Sequence, residues 1–179
     1  MKVAVVTPYY KEPDDILDRC IKSVAAQTHK DVFHVLVSDG HPSIITSHTV
    51  LLPNTGDMGD TPRLIGSAYA SAKGADAIIF LDADCWLDPT HVEKMVEAQQ
   101  KSQAPILTNP RKIWCKFTNE HFGTDTESDG VRMCHADYNP MIVSYYTVFV
   151  RRCRICCRTK YKNAGHQKLL FSHNFFLSL

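Results

Sequence analysis

The sequence predicts an α/β protein built on a mostly parallel sheet with helices on both faces. Three observations carry this prediction. Short β-branched runs alternate with segments of helical period, the links between them are short, and polar clusters fall where the strands end. Parallel strands need such helical crossovers, and burial on both faces makes them read as near-continuous apolar runs.

Residues 2–7, KVAVVT, read as the first strand, which Pro8 is expected to end. After Glu12 and Pro13, the apolar positions Ile16, Leu17, Cys20, Ile21, Val24 and Ala25 recur on one helical face. Asp14, Asp15 and Asp18 lie near the positive end of that helix, which is predicted to run to about Gln27. VFHVLVSDG is a second strand closing on Asp39 and Gly40, and HTVLLPN can supply a short third. Asp60 or Thr61 is predicted to cap a helix with Pro62 in its first turn and Gly74 at its stop. DAIIFL is the next strand, Asp88 and Pro89 start a helix through about Gln103, and APILTNP returns to a strand.

At 179 residues, 44% apolar and 22% charged, the chain is sized and composed as one globular domain. No window approaches the roughly 18 uncharged apolar residues of a membrane span. The opening KVAVVTPYYKEP is too short for a signal-peptide core and lacks a small-residue cleavage site, so it is expected to be the first strand of a cytoplasmic protein. Seven irregularly spaced cysteines argue against a disulfide framework and for reduced thiols. Residues 1–137 hold all 19 acids with 13 of the 20 Lys and Arg, whereas residues 138–179 hold seven basic residues and no acid. The two parts follow different compositional rules.

Ligands of an open α/β sheet bind beyond the carboxyl ends of its strands. TPYYKEP, SDG and DADC all fall at such ends. On extended backbone, residues two apart share a side, so Asp82 and Asp84 are expected to face one point and repel. A hard divalent cation, Mg²⁺ or Mn²⁺, removes that repulsion and completes its shell with water and substrate phosphate, which suggests a diphosphate ligand. The alternative is that one of the two acids only caps the following turn.

VAVVTPYYKEPDDILDRCIKSVAAQTHKDVFHVLVSDG, followed by GDTPRLIGSAYASAKGADAIIFLDADCWLDPTHVEKMV, resembles a family 2 glycosyltransferase with the GT-A fold, a Rossmann-like, mostly parallel sheet. The resemblance covers about residues 2–100, with weaker echoes to about 150. It implies a donor half over about 1–110, a partial acceptor half over about 111–150, and a separate tail over 151–179. It implies a nucleotide-sugar donor, UDP by family weight, a metal-dependent single displacement with inversion, and a saccharide, lipid or protein acceptor. By the same resemblance, Thr7, Pro8, Tyr9 and Glu12 would line the base and ribose pocket, Asp39 would bond the base or ribose, and Arg63 would lie by the phosphates. Asp84 would contact the metal directly, and Asp82 the ribose or a metal-bound water.

The acceptor hydroxyl needs a base as it attacks. Asp125, Glu127, Asp129 and Asp137 are candidates, with Asp137 first because HAD precedes the strand-like MIVSYYTVFV. An acid cluster among Gly, Ser and Thr is more often a solvated loop. His91 follows the acid pair and reads more readily as helix packing, and His135 is a weaker candidate for a late metal ligand.

The tail RRCRICCRTKYKNAGHQKLLFSHNFFLSL drops all acids and shows neither helical nor alternating period. A truncated or frame-shifted reading would produce such a switch. Cys153, Cys156 and Cys157 with His166 and His173 depart from usual zinc-finger spacing. The cluster from Arg151 to Lys162 could touch anionic lipid headgroups at a membrane periphery, while Tyr161 alone offers little for base stacking, so no nucleic acid partner is expected. A solvated tail is the preferred reading. Two other functions compete with transfer. One is a nucleotide-diphosphate-binding module with an incomplete acceptor half. The other is a nucleotidyltransferase, although TPYYKEP lacks the glycine-rich, basic loop such enzymes use.

Overall fold

The computed structural model describes residues 1–104, 106–109, 111–115, 120–125, 142–144 and 148–151. Four strands form the parallel part of the main sheet: β1 (Val3–Tyr9), β2 (Val32–Asp39), β3 (Val50–Leu52) and β4 (Ala77–Phe80). Three helices connect or follow them: α1 (Asp14–Ala25), α2 (Asp60–Ala72) and α3 (His91–Ser102). Five strands come later: β5 (Ile106–Thr108), β6 (Arg111–Cys115), β7 (His121–Asp125), β8 (Ile142–Ser144) and β9 (Val148–Arg151).

The main sheet runs β3-β2-β1-β4-β9-β5, and β7-β6-β8 form a second, antiparallel sheet. β1 pairs in parallel with β2 and β4, while β9 enters antiparallel between β4 and β5. The run MIVSYYTVFV therefore divides, its first piece joining the small sheet and its second the large one.

Alternation along β1 builds both cores. Val3 and Val5 pack with Cys20 and Val24 of α1 and with Val92, Met95 and Val96 of α3. Ala4 and Val6 pack on the other face with Val35, Val37 and Ala70 of α2. The predicted α/β sheet covered on both faces is thus observed. Among the described residues no helix is long and apolar enough to cross a membrane.

Several boundaries depart from expectation. β1 continues through Pro8 to Tyr9. Pairing of β1 with β4 stops at Val6 opposite Phe80, and the Val6 carbonyl accepts the Leu81 N–H at 3.1 Å. Two residues further on, Pro8 faces the same side past the end of that pairing, where its missing N–H costs no ladder bond. α2 is preceded by Gly59 at φ 89° rather than capped by Asp60 or Thr61, and the side chain that meets its first turn is Asp57, which accepts the Thr61 N–H at 2.9 Å. α3 starts at His91, after one turn in which the His91 N–H bonds the Asp88 carbonyl at 2.9 Å.

Two histidines are half-buried in this frame. His34 of β2 shares a 2.8 Å hydrogen bond with the Thr7 hydroxyl, and the His91 Nε2 is buried without a hydrogen-bond partner. Burial lowers both pKa values from 6.5 to about 4. The unfolded chain protonates both imidazoles below pH 6.5, while the fold resists until about pH 4. Stability is therefore whole above that window and is lost as pH falls through it. Urea unfolding is expected to show a midpoint that drops between those two pH values, with a shallower drop in His34→Gln. A midpoint flat across the window would contradict this.

Candidate functional site

The carboxyl ends of β2, β1 and β4 lie side by side, because these strands are parallel neighbours. Asp39 closes β2 and is only 6% exposed. Its Oδ1 accepts the Thr55 N–H at 2.8 Å and the Thr55 hydroxyl at 3.0 Å. Gly40 follows at φ 79°, and a Cβ there would collide with the Asn54 backbone, so the stretch around Asn54 folds tightly over the strand end. Asp57 continues this loop, with its Oδ1 2.9 Å from the Thr55 hydroxyl. Burial alone would raise the Asp57 pKa, but the hydrogen bonds from Thr61 and Thr55 outweigh it and hold the carboxyl below its ordinary value. Thr55 and Asp57 were not singled out from the sequence, although TGD is a turn-rich signal.

α2 then delivers Arg63. Met58 at φ 60° and Gly59 at φ 89° bend the chain so that the Met58 carbonyl accepts Arg63 Nη1 at 3.1 Å. Arg63 Nη2 donates to Asp82 Oδ1 at 2.5 Å, with Asp60 Oδ1 at 3.7 Å from Nη1. This pair is half-buried, the Arg63 side chain being 24% exposed and that of Asp82 43%.

The two acids do not sit on extended backbone, as expected, but on a tight turn. The Cys85 N–H donates to the Asp82 carbonyl at 2.9 Å. The cause is the short β4, which ends at Phe80, the Leu81 N–H making the last bond to β1. The predicted alternation survives, since Leu81, Ala83 and Cys85 are buried while Asp82 is half-buried and Asp84 exposed.

Two thiols lie beneath this turn. The Cys85 thiol lies 3.4 Å from Asp84 Oδ1, and Cys20 Sγ lies 3.8 Å from the Asp82 carbonyl. Burial pushes the Cys20 pKa up to about 12, against a lowering hydrogen bond from Thr7, with the charges of Asp84 and Asp82 adding to the rise. Burial, with Asp84 and Asp82 beside it, likewise raises Cys85 well above its ordinary value. Both stay protonated near neutrality and are not nucleophiles.

A cavity of about 250 Å³ opens beside this cluster, lined in part by Tyr9, Glu12, His41 and Ser43. The Tyr9 hydroxyl accepts the Ser43 N–H at 3.4 Å, and Glu12 accepts the Tyr10 N–H at 2.6 Å. Thr7 and Pro8 are not in its wall. Thr7 is fully buried with its hydroxyl on His34, and Pro8 lies under Gly59, whose added Cβ would meet it at 3.4 Å. The alternation of β1 turns these two side chains to opposite faces of the sheet, Thr7 toward Cys20 and His34 and Pro8 toward Gly59.

The donor set suits a divalent cation of the Mg²⁺ or Mn²⁺ kind. Asp82 and Asp84 would supply two carboxylates, and among the described residues no group of three or more His, Cys, Asp or Glu is placed to hold a metal ion. Such ions take one or two carboxylates and fill the remaining positions with water and substrate phosphate. His91 is placed by helix packing, not by the acids. Asp125 ends β7 opposite Arg111 in register. Glu127, Asp129, His135 and Asp137 lie outside the described residues, as do Cys153, Cys156, Cys157, His166 and His173.

Comparison with known proteins bears on the family and the fold. Succinoglycan biosynthesis protein ExoW of Rhizobium meliloti is 27% identical over 161 residues, 79% of this chain and 47% of that protein. An uncharacterised glycosyltransferase of Nostoc sp. is 32% identical over 115 residues, 57% of this chain and 34% of its own length. The chain thus spans about half or less of these relatives. The crystal structure of S. aureus TarS superposes with a TM-score of 0.51 at 17% identity, covering 59% of this chain and 21% of that one. TarS 1-349 in complex with UDP gives 0.51 at 17%, covering 59% and 34%. These two show the GT-A fold. The family model described as glycosyl transferase family 2 matches residues 4–162, and the chain belongs to that family.

Proposed function

We propose that this chain binds a nucleoside-diphosphate sugar, with UDP as the nucleotide, and transfers the sugar to an acceptor hydroxyl with inversion. The observation that carries the reading is the clasp of Arg63 on Asp82, with Asp84 on the same turn and Asp39 two strands away. One guanidinium and three carboxylates at neighbouring strand ends match what a diphosphate, its cation and a base or ribose require. The UDP bound to TarS 1-349, a neighbour of the same fold, supports the nucleotide. A relative named for succinoglycan biosynthesis favours a saccharide acceptor.

In this reading Asp39 accepts hydrogen bonds from the base or ribose, with Thr55 holding its carboxylate in place. Arg63 is already fixed by the Met58 carbonyl and offers its donors to the diphosphate. Asp84 and Asp82 would hold a divalent cation, which would supply positive charge against the leaving group. The acceptor oxygen forms its bond to the anomeric carbon as the bond to diphosphate breaks, and the hydroxyl proton passes to a carboxylate, for which Asp137 is the candidate. The reduced Cys20 and Cys85 fit a cytoplasmic setting.

The test is release of UDP from UDP-sugars, with Mn²⁺ or with chelator. Release above the chelated control is expected. A folded protein that binds UDP yet releases none from any sugar donor would favour the incomplete binding module instead.

A further inference from the structure

The loop between β4 and α3 carries both acids, yet residues 81–90 include neither strand nor helix. Such a connection is mobile unless it is held. We propose that one row of side chains on α1 and just past its end, led by Arg19, is the positioning device for Asp82 and Asp84. This rests on the metal-binding reading above.

The row follows helical spacing through Arg19 and Cys20, then Ser23, and is completed by Gln27, two residues past the end of α1. Four of its contacts go to loop backbone, at Asp82, Asp84, Leu87 and Asp88. Arg19 Nη2 donates to the Asp84 carbonyl at 3.3 Å, and Cys20 Sγ approaches the Asp82 carbonyl at 3.8 Å. The Ser23 hydroxyl donates to the Cys20 carbonyl at 2.7 Å, which leaves its oxygen to accept the Leu87 N–H at 3.1 Å. Gln27 uses both ends of its amide, donating to the Asp88 carbonyl at 2.9 Å and accepting the Val92 N–H at 3.0 Å. Gripping the backbone fixes where the carboxylates point without consuming their oxygens.

The opposite side of the loop is held too. The Arg19 guanidinium lies 3.9 Å from the Trp86 ring centroid, Trp86 packs on Trp114 of β6 at 5.9 Å, and Lys112 of β6 pairs with Asp88 at 2.7 Å. Arg19 thus joins the carbonyl of one acid to the ring that seats the loop on the second sheet. Residues that orient metal ligands typically change metal affinity more than they change the rest of the site.

The experiment is calorimetric titration of UDP and Mn²⁺ into the 179-residue chain and its Arg19→Gln variant, with amide hydrogen exchange over residues 82–88. Lys22→Gln, which removes an exposed pair with Asp18 on another face of α1, serves as control. Arg19→Gln is expected to weaken Mn²⁺ binding in the presence of UDP by about tenfold. Metal-free UDP affinity is expected to be unchanged and exchange across the turn faster, with Lys22→Gln matching wild type throughout. Arg19→Lys, which keeps the charge over Trp86, is expected to fall between the two and replaces Arg19→Gln if that variant does not fold. Unaltered Mn²⁺ affinity and exchange in a folded Arg19 variant would overturn the positioning role, as would proportional loss of metal-free UDP binding. A wild type whose UDP affinity ignores Mn²⁺ would overturn the metal reading itself, whatever Arg19 does to exchange.

Discussion

Asp84→Asn is expected to lower metal-dependent UDP release by roughly three orders of magnitude, since a bound cation is worth several kcal/mol to the developing charge. The substitution keeps the size of the side chain and removes the anion. Asp84 is exposed and lies outside both cores, so the fold is expected to keep its urea midpoint. Metal-free UDP binding should also persist, because Asp39 and Arg63 remain. Asp82 offers a less clean test, since removing it also releases Arg63 from its 2.5 Å partner. If Asp84→Asn kept wild-type release that still needed Mn²⁺, the cation would have to be held elsewhere.

The largest effect on stability is expected at Gly66→Val. Glycine inside a helix costs about 1 kcal/mol relative to alanine, so its presence in α2 asks for a reason. The reason is closeness: a Cβ on Gly66 would stand 2.5 Å from Val6 Cγ1 and 2.9 Å from Val37 Cγ2. Both valines are fully buried and hemmed in by their neighbours in the sheet. Valine at this position forces α2 away from the sheet, at an overpacking cost of about 1–3 kcal/mol or somewhat more. That is a large part of the stability of an ordinary domain. The shift also reaches the site, because Arg63 lies one turn before Gly66 and its clasp on Asp82 depends on where α2 sits. Urea unfolding and UDP affinity should fall together. Unchanged stability would mean that α2 can move off the sheet freely.

The main sheet was legible because β1 is buried on both faces and β2 and β4 turn apolar side chains to both, which writes itself as β-branched runs. Their order was not legible, since β3 and β4 follow one another through α2 yet stand with β2 and β1 between them. What was not legible depended on partners distant in sequence. Nothing local says that β4 stops pairing at Phe80, which sets Asp82 and Asp84 on a turn and lets β1 run through Pro8. Arg63 and Asp82 were both singled out, but their pairing needs α2 seated on the sheet, a consequence of Gly66 that composition does not reveal. Thr7 has the residue type expected at a pocket, yet strand alternation turns it inward toward His34. Arg19, Ser23 and Gln27 look like an ordinary polar face of an amphipathic helix, and only the return of the chain after β4 shows what that face holds.

The most direct test of a cation-dependent donor site at this turn is calorimetric titration of UDP, with and without Mn²⁺, into wild type and the double variant Asp82→Ala, Asp84→Ala. Wild-type binding that tightens with Mn²⁺, and a double variant whose binding ignores the metal, is the predicted result. A folded wild type that binds no UDP under either condition, or a double variant that responds to Mn²⁺ as wild type does, would contradict it.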